Sequence, residues 1–322
     1  MPLRTLIAAW NEFFFKPELP TPISLFRMVY GAMVIFTLTL LRPDWLAWFG
    51  PRAWISLATI RRIEPGVRLN LFTVIPQTDL AANALFWVFL LAAICLTAGF
   101  FTRASTIVVF LCLTSIHQRN LYINHGGDTF LRIAGFFLIF APAGAAFSLD
   151  RLIRIRRGKE PLELQPRSPW ALRMIQFELA LVYFSSFWWK SMGAPWIEGT
   201  ALYYVLHLEE IRRFPVPQWF QNPVILKLGC WFTLALECSL GVLIWIKEFR
   251  YPLLLLGLGF HLSIEYALNI PMFEWDILSG YILFIDPADL ARAARWLGRR
   301  VPAAKLPLIK ESTYANAPAR RQ

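Results

Sequence analysis

Charge is scarce in this sequence. Of its 322 residues only 16% are Asp, Glu, Lys or Arg, against about 25% in ordinary soluble domains. So few charges cannot clothe a water-exposed surface of this size, which excludes a soluble enzyme. The 57% hydrophobic content excludes a disordered chain. Cysteine is scarce as well. Cys95, Cys112, Cys230 and Cys238 all lie in apolar runs, with no CxxC and no zinc spacing. Cys230 and Cys238 would sit about 12 Å apart along one helix, too far for a bridge. A disulfide scaffold is therefore excluded, and the four thiols read as packing residues. The N-terminal segment lacks the long apolar core and small-residue cleavage site of a signal peptide. Its apolar patches are broken by Asn11, Glu12, Pro17 and Pro20, so residues 1–20 read as an interfacial helix. No internal repeat is present.

What is abundant is apolar and aromatic: 14 Trp, 27 Phe and long hydrophobic runs. A helix crossing about 30 Å of hydrocarbon needs roughly 20 apolar residues. About eight segments qualify: 22–41, 82–101, 104–120, 129–148, 169–189, 223–246, 251–269 and 273–287. The third is weakened by His117, Gln118, Arg119 and Asn120 at its end, the eighth by Glu274 and Asp276. The expected fold is an all-α, polytopic membrane helical bundle. The transmembrane domain spans 21–287, and a basic polar tail follows over 288–322. Residues 43–80, with Trp45, Trp48, Pro51, Trp54 and Pro65, read as a partly embedded outer loop rich in interfacial aromatics. The net charge of +11 then becomes an orientation signal rather than a sign of nucleic acid, which is not an expected partner. Eight spans with both termini inside gather the 151–159 cluster and the basic tail on the cytoplasmic side. The lipid bilayer is the expected partner, and a bacterial plasma membrane the expected location.

Ionisable groups at membrane depth are costly and generally face a bundle interior or wet cavity. Lys190 ends the run Tyr183-Phe-Ser-Ser-Phe-Trp-Trp-Lys190 and precedes Trp196. Such a lysine either snorkels to the interface or is desolvated by its aromatic neighbours, which favours the neutral amine of a general base. Asn124-His125-Gly126-Gly127-Asp128 reads as a glycine turn with Asp128 capping the next helix. That account leaves the Asn-His pair unexplained. His261 and Glu265, at i and i+4, share a helix face, as a functional pair or a structural contact. Glu178 and Glu237 lack local partners and must be neutral or paired across helices. His207 and Arg27 read as interfacial. No metal is predicted. The span count puts the Asn124–Asp128 turn and Lys190 on the same outer face, so a site uniting His125 with Lys190 is allowed.

At these residues the chain resembles the vitamin K-dependent γ-glutamyl carboxylase and its bacterial relatives, which share the horizontally transferred transmembrane (HTTM) domain. The features that carry the likeness are Arg119-Asn120, Asn124-His125-Gly-Gly-Asp128, Val182-Tyr183 through Lys190 to Trp196 and Gly199, and Gly259-Phe260-His261. They cover roughly residues 20–287. The resemblance implies a reaction at the outer face. A lysine, here Lys190, deprotonates a vitamin K hydroquinone, oxygen converts it to a strong base and then the epoxide, and a substrate glutamate is carboxylated. By the same resemblance His125 assists the carboxylation half. Asn124, His261, Trp196 and Tyr183 shape or line the quinone pocket. A reduced vitamin K or another hydroquinone is thus the implied cofactor, and a polypeptide the implied substrate. The competing expectation is a non-catalytic membrane protein that binds lipid or quinone, or that partners a secreted peptide system. A transporter ranks third, because no paired broken helices are evident.

Overall fold

A computed structural model describes residues 3–300 apart from Glu64 and Val67. Among the described residues the chain is helical, with no strand and two isolated bridges, Glu18 to Arg167 and Arg212 to Leu268. Helix α1 covers Leu3–Phe15 and α2 covers Thr21–Leu41. Two short helices, α3 (Trp45–Phe49) and α4 (Leu57–Ile63), occupy the loop before α5 (Asp79–Ala98) and α6 (Thr102–Arg119). Then come α7 (Gly126–Leu138), α8 (Leu149–Arg156), α9 (Trp170–Ser191), α10 (Ala194–Glu198) and α11 (Ala201–Leu206). The last four are α12 (Pro223–Val242), α13 (Lys247–Ala267), α14 (Phe273–Ser279) and α15 (Pro287–Arg300).

Local chemistry sets these boundaries. Thr78 accepts from the Ala81 amide to open α5, and Gly99, at φ 69°, closes it in the left-handed region. Asn222 caps α12 ahead of Pro223, whose missing N–H costs nothing in the first turn. The N-terminus of α6 has no cap of its own. Asp150, from α8, accepts there from the amides of Phe101 (2.9 Å) and Thr102 (2.8 Å) and from the Thr102 hydroxyl (2.7 Å).

The helices pack in a closed circuit: α2 on α5, α5 on α6, α6 on α7, α7 on α9, α9 on α12, α12 on α13, α13 on α14, and α14 back on α7. Phe26, Tyr30, Phe89, Phe130, Ile175, Leu179 and Leu240 fill the centre. The outside is apolar too, with Phe36, Trp87, Leu91, Leu228, Trp231 and Leu255 exposed. A helix hydrophobic all round suits lipid rather than water. Three helical segments are long and apolar enough to cross a membrane: Thr21–Leu41, Asp79–Ala98 and Pro223–Trp245.

Several expectations are corrected. The fourth segment is helical over Gly126–Leu138, 13 residues or about 20 Å, rather than continuing to residue 148. Trp45 is not interfacial: it is fully buried, and its indole N–H donates to the Ala82 carbonyl at 2.9 Å. Arg27 is likewise fully buried, donating to the carbonyls of Phe147 (2.5 Å) and Thr97 (3.5 Å). The expected tail begins as helix α15; its remainder, 301–322, lies outside the described residues.

Candidate functional site

Three polar groups lie inside or at the edge of the bundle. The first is built on α9 and α12. Lys190, in the last turn of α9, forms an ion pair with Glu237, which is nearly fully buried on α12. Ser186, one turn back on α9, donates to the same carboxylate oxygen at 3.1 Å. The Lys190 ammonium also stands 5.0 Å from the centre of the Trp196 ring, a cation–π distance. The other oxygen of Glu237 has no hydrogen-bond partner. The sequence left Lys190 either snorkelling or desolvated by aromatic neighbours; the structure gives it the Trp196 ring and an ionic partner as well. A carboxylate answers it across the helices, and Glu237 is the partner the sequence left open.

The second group is fully interior. His261 on α13 pairs through Nδ1 with Glu274 of α14. Its Nε2 lies 2.6 Å from the Tyr183 hydroxyl of α9, which lies 2.7 Å from the Tyr281 hydroxyl. The chain of contacts has one self-consistent direction when Glu274 is the terminal acceptor: His261 Nδ1–H then donates to it, Nε2 accepts from Tyr183, and Tyr183 accepts from Tyr281. The i,i+4 expectation is overturned. Glu265 pairs with Arg213 of the 207–213 loop instead, and the carboxylate serving His261 comes from the next helix.

The third group surrounds the turn between α6 and α7. His125 is the N-cap of α7, and its Nδ1 accepts from the Asp128 amide at 3.3 Å while Asp128 accepts from the His125 amide at 2.9 Å. This reciprocal capping box accounts for the His and Asp together. His125 Nε2 lies 2.9 Å from the Pro271 carbonyl. Asn124 donates to the His117 carbonyl at 2.9 Å, and His117 Nε2 is 3.3 Å from Asp128. Asp276 of α14 joins the group: one ligand atom from each of His125, Asp128 and Asp276 falls within 4.8 Å of the others. This convergence is not legible in the sequence, where Asp276 reads only as a charge that weakens the eighth segment.

Among the described residues no hydrogen bond or ion pair joins the Lys190 pair directly to the His125 group. The two are related through shared helices. Tyr183 sits two turns before Lys190 on α9, about 10 Å along the axis, and α14 carries both Glu274 and Asp276. Glu178, buried on α9, has neither oxygen hydrogen-bonded. His207 is exposed and meets the Tyr203 carbonyl at 2.7 Å. Two cavities, about 260 Å³ beside Thr102, Asp150 and Arg154 and about 210 Å³ beside Arg61, Asn70 and Gln118, have no lining residue from these three groups.

Comparison with protein families matches the HTTM domain over residues 15–288. Comparisons with curated proteins and with solved structures give no match.

Proposed function

Since the chain belongs to the HTTM domain family, and is thereby a membrane protein related to the vitamin K-dependent carboxylases, we propose that it is a quinone-dependent epoxidase or carboxylase acting at the outer face of a bacterial plasma membrane. The finer topology belongs to this reading: about eight spans, both termini cytoplasmic. The observation that carries it is the Lys190–Glu237 pair set under Trp196. A protonated lysine cannot serve as a base until its proton has somewhere to go. Glu237 is in contact to receive it, and Ser186 keeps the carboxylate aimed. The freed amine then takes a proton from an acidic hydroxyl brought to Nζ.

The donor set fits a reduced naphthoquinone: an apolar, aromatic wall at Trp196 with one titratable pair. When bound, such a quinone supplies the reducing equivalents that oxygen consumes, and with them a base strong enough to take a glutamyl γ-proton. Tyr183, hydrogen-bonded to His261 and Tyr281 two turns before Lys190, would anchor the helix that carries the base. His125 and Asn124 build the outer turn on the substrate side, where a polypeptide glutamate would be offered.

The test is epoxide formation by the purified chain in lipid nanodiscs, supplied with reduced vitamin K and oxygen. Product is expected from the wild type and is expected to vanish in Lys190→Ala and to fall sharply in Glu237→Gln. Several reduced quinones giving no product, with in-cell function of Lys190→Ala intact, would overturn the enzyme reading in favour of a non-catalytic lipid- or quinone-binding protein.

A further inference from the structure

Asp276 is fully buried, and neither of its carboxylate oxygens has a hydrogen-bond partner. Buried polar groups almost always find partners, and a bare carboxylate in a low-dielectric interior is the costliest exception. The nearest ionisable neighbours with which it could share a ligand are Asp128, a second acid, and His125. Like charges would repel here. A divalent cation would cancel both carboxylates at once.

We propose that His125, Asp128 and Asp276 bind a divalent first-row transition cation. Three features beyond the cluster itself point the same way. The Pro271 carbonyl can only accept, so it fixes the proton of His125 on Nε2 and leaves Nδ1 as an acceptor, 3.5 Å from the Asp128 carboxylate. A cation would take the place of the long, 3.3 Å hydrogen bond that Nδ1 accepts from the Asp128 amide. Metal-ligating histidines are generally held in this way by a carbonyl or carboxylate on the far nitrogen. Gly127 keeps the space open: a Cβ there would sit 3.0 Å from the Asp276 Cβ and 3.1 Å from the His125 ring. Met272, beside Pro271, adopts φ 66°, a left-handed conformation that residues with a Cβ disfavour. The segment that delivers Pro271 and Asp276 is thus held in a conformation that local preference opposes.

One imidazole nitrogen with two carboxylates suits zinc, manganese or iron better than calcium or magnesium, which favour all-oxygen sets. Bonds of about 2.1 Å put neighbouring ligands about 3 Å apart, so the side chains close in from their present spread on binding. The cation would pin α14 to the turn between α6 and α7. This proposal needs no quinone chemistry and stands apart from the activity of Lys190.

The test uses the full chain in nanodiscs, stripped with chelator, then equilibrated with Zn²⁺ or Mn²⁺ and desalted. About one equivalent is expected to remain on the wild type, with a raised Tm. Retention is expected to weaken at least about tenfold in Asp276→Asn and His125→Gln, while Glu237→Gln keeps the metal. Should either site variant fail to fold, the wild type alone decides: bound Mn²⁺ must show electron spin-echo coupling to an imidazole nitrogen. No retained metal, full retention by Asp276→Asn, or Mn²⁺ without nitrogen coupling would each overturn the site. In that event Asp128 and Asp276 share a proton instead.

Discussion

At the scale of single residues, Glu237 decides what Lys190 is. Alone, the lysine would be a snorkelling side chain; with Glu237 it is half of a partly buried pair. Removing one partner of such a pair strands the other, at a cost on the order of 3 kcal/mol. Lys190→Met and Glu237→Leu should each lower stability by about that much, whereas the double variant should lose clearly less than the sum. Denaturation of all four proteins in one detergent checks this, and strict additivity would mean that the two groups do not interact. Asp150 gives a pH signature. Partial burial works against its charge, but the amide and hydroxyl of Thr102, the Phe101 amide and Arg154 hold its carboxyl below the usual carboxylate range. A lowered folded value means that its contribution is complete above about pH 4 and fades as pH falls through that lower value. Asp150→Ala should therefore cost about 1–2 kcal/mol at neutral pH, and the gap to wild type should close on acidification. Gly99 is constrained twice, by φ 69° and by the Arg27 guanidinium and Ser148 side chain that an added Cβ would strike. Gly99→Ala should accordingly destabilise by more than the about 1 kcal/mol typical of such a swap, read as a fall in Tm.

At the scale of elements, much of the helical layout was legible. The segments expected at 22–41, 104–120 and 169–189 appear as Thr21–Leu41, Thr102–Arg119 and Trp170–Ser191, because apolar length and caps act locally. Pairing was not legible. The i,i+4 rule sees only one helix, so it joined His261 to Glu265 and missed Glu274, which reaches the imidazole from a separate helix. Burial of Arg27 was hidden for a similar reason: its acceptors are the carbonyls of Phe147 and Thr97, contributed by two other parts of the chain. The same limit concealed how α1 is fastened. Arg173 of α9 binds Glu18 at 2.5 Å, donates to the Phe13 carbonyl at 3.3 Å and lies over the Phe13 ring. Arg173→Ala should loosen α1 with little change in global stability. Faster hydrogen exchange confined to residues 3–18 is the expected result; unchanged exchange there would show that apolar contact alone holds α1 in place.

At the scale of the whole molecule, composition announced a membrane protein, and the apolar exterior agrees with it. Three segments carry that conclusion by length and hydropathy; the other expected spans are shortened or contain ionisable residues such as Arg173, Glu178 and Lys190 in α9. Their charges are answered by neighbouring helices rather than absent, which no hydropathy window can register. The eight-span arrangement proposed above would place the loop after α3 outside and the basic loop after α8 inside. Cysteines introduced at the exposed Ser56 and Lys159 should then differ in intact cells: an impermeant maleimide labels the first and not the second. Equal labelling of both would refute that topology.

Helix α14 has seven residues, fewer than an isolated helix needs to persist. Its position is borrowed from what it touches. Glu274 on it answers His261, and Asp276 on it faces His125 and Asp128. The helix therefore behaves as a yoke between two polar centres rather than as a post for either. Any event that draws one carboxylate inward resets the other, and by thermodynamic reciprocity the coupling runs equally in both directions.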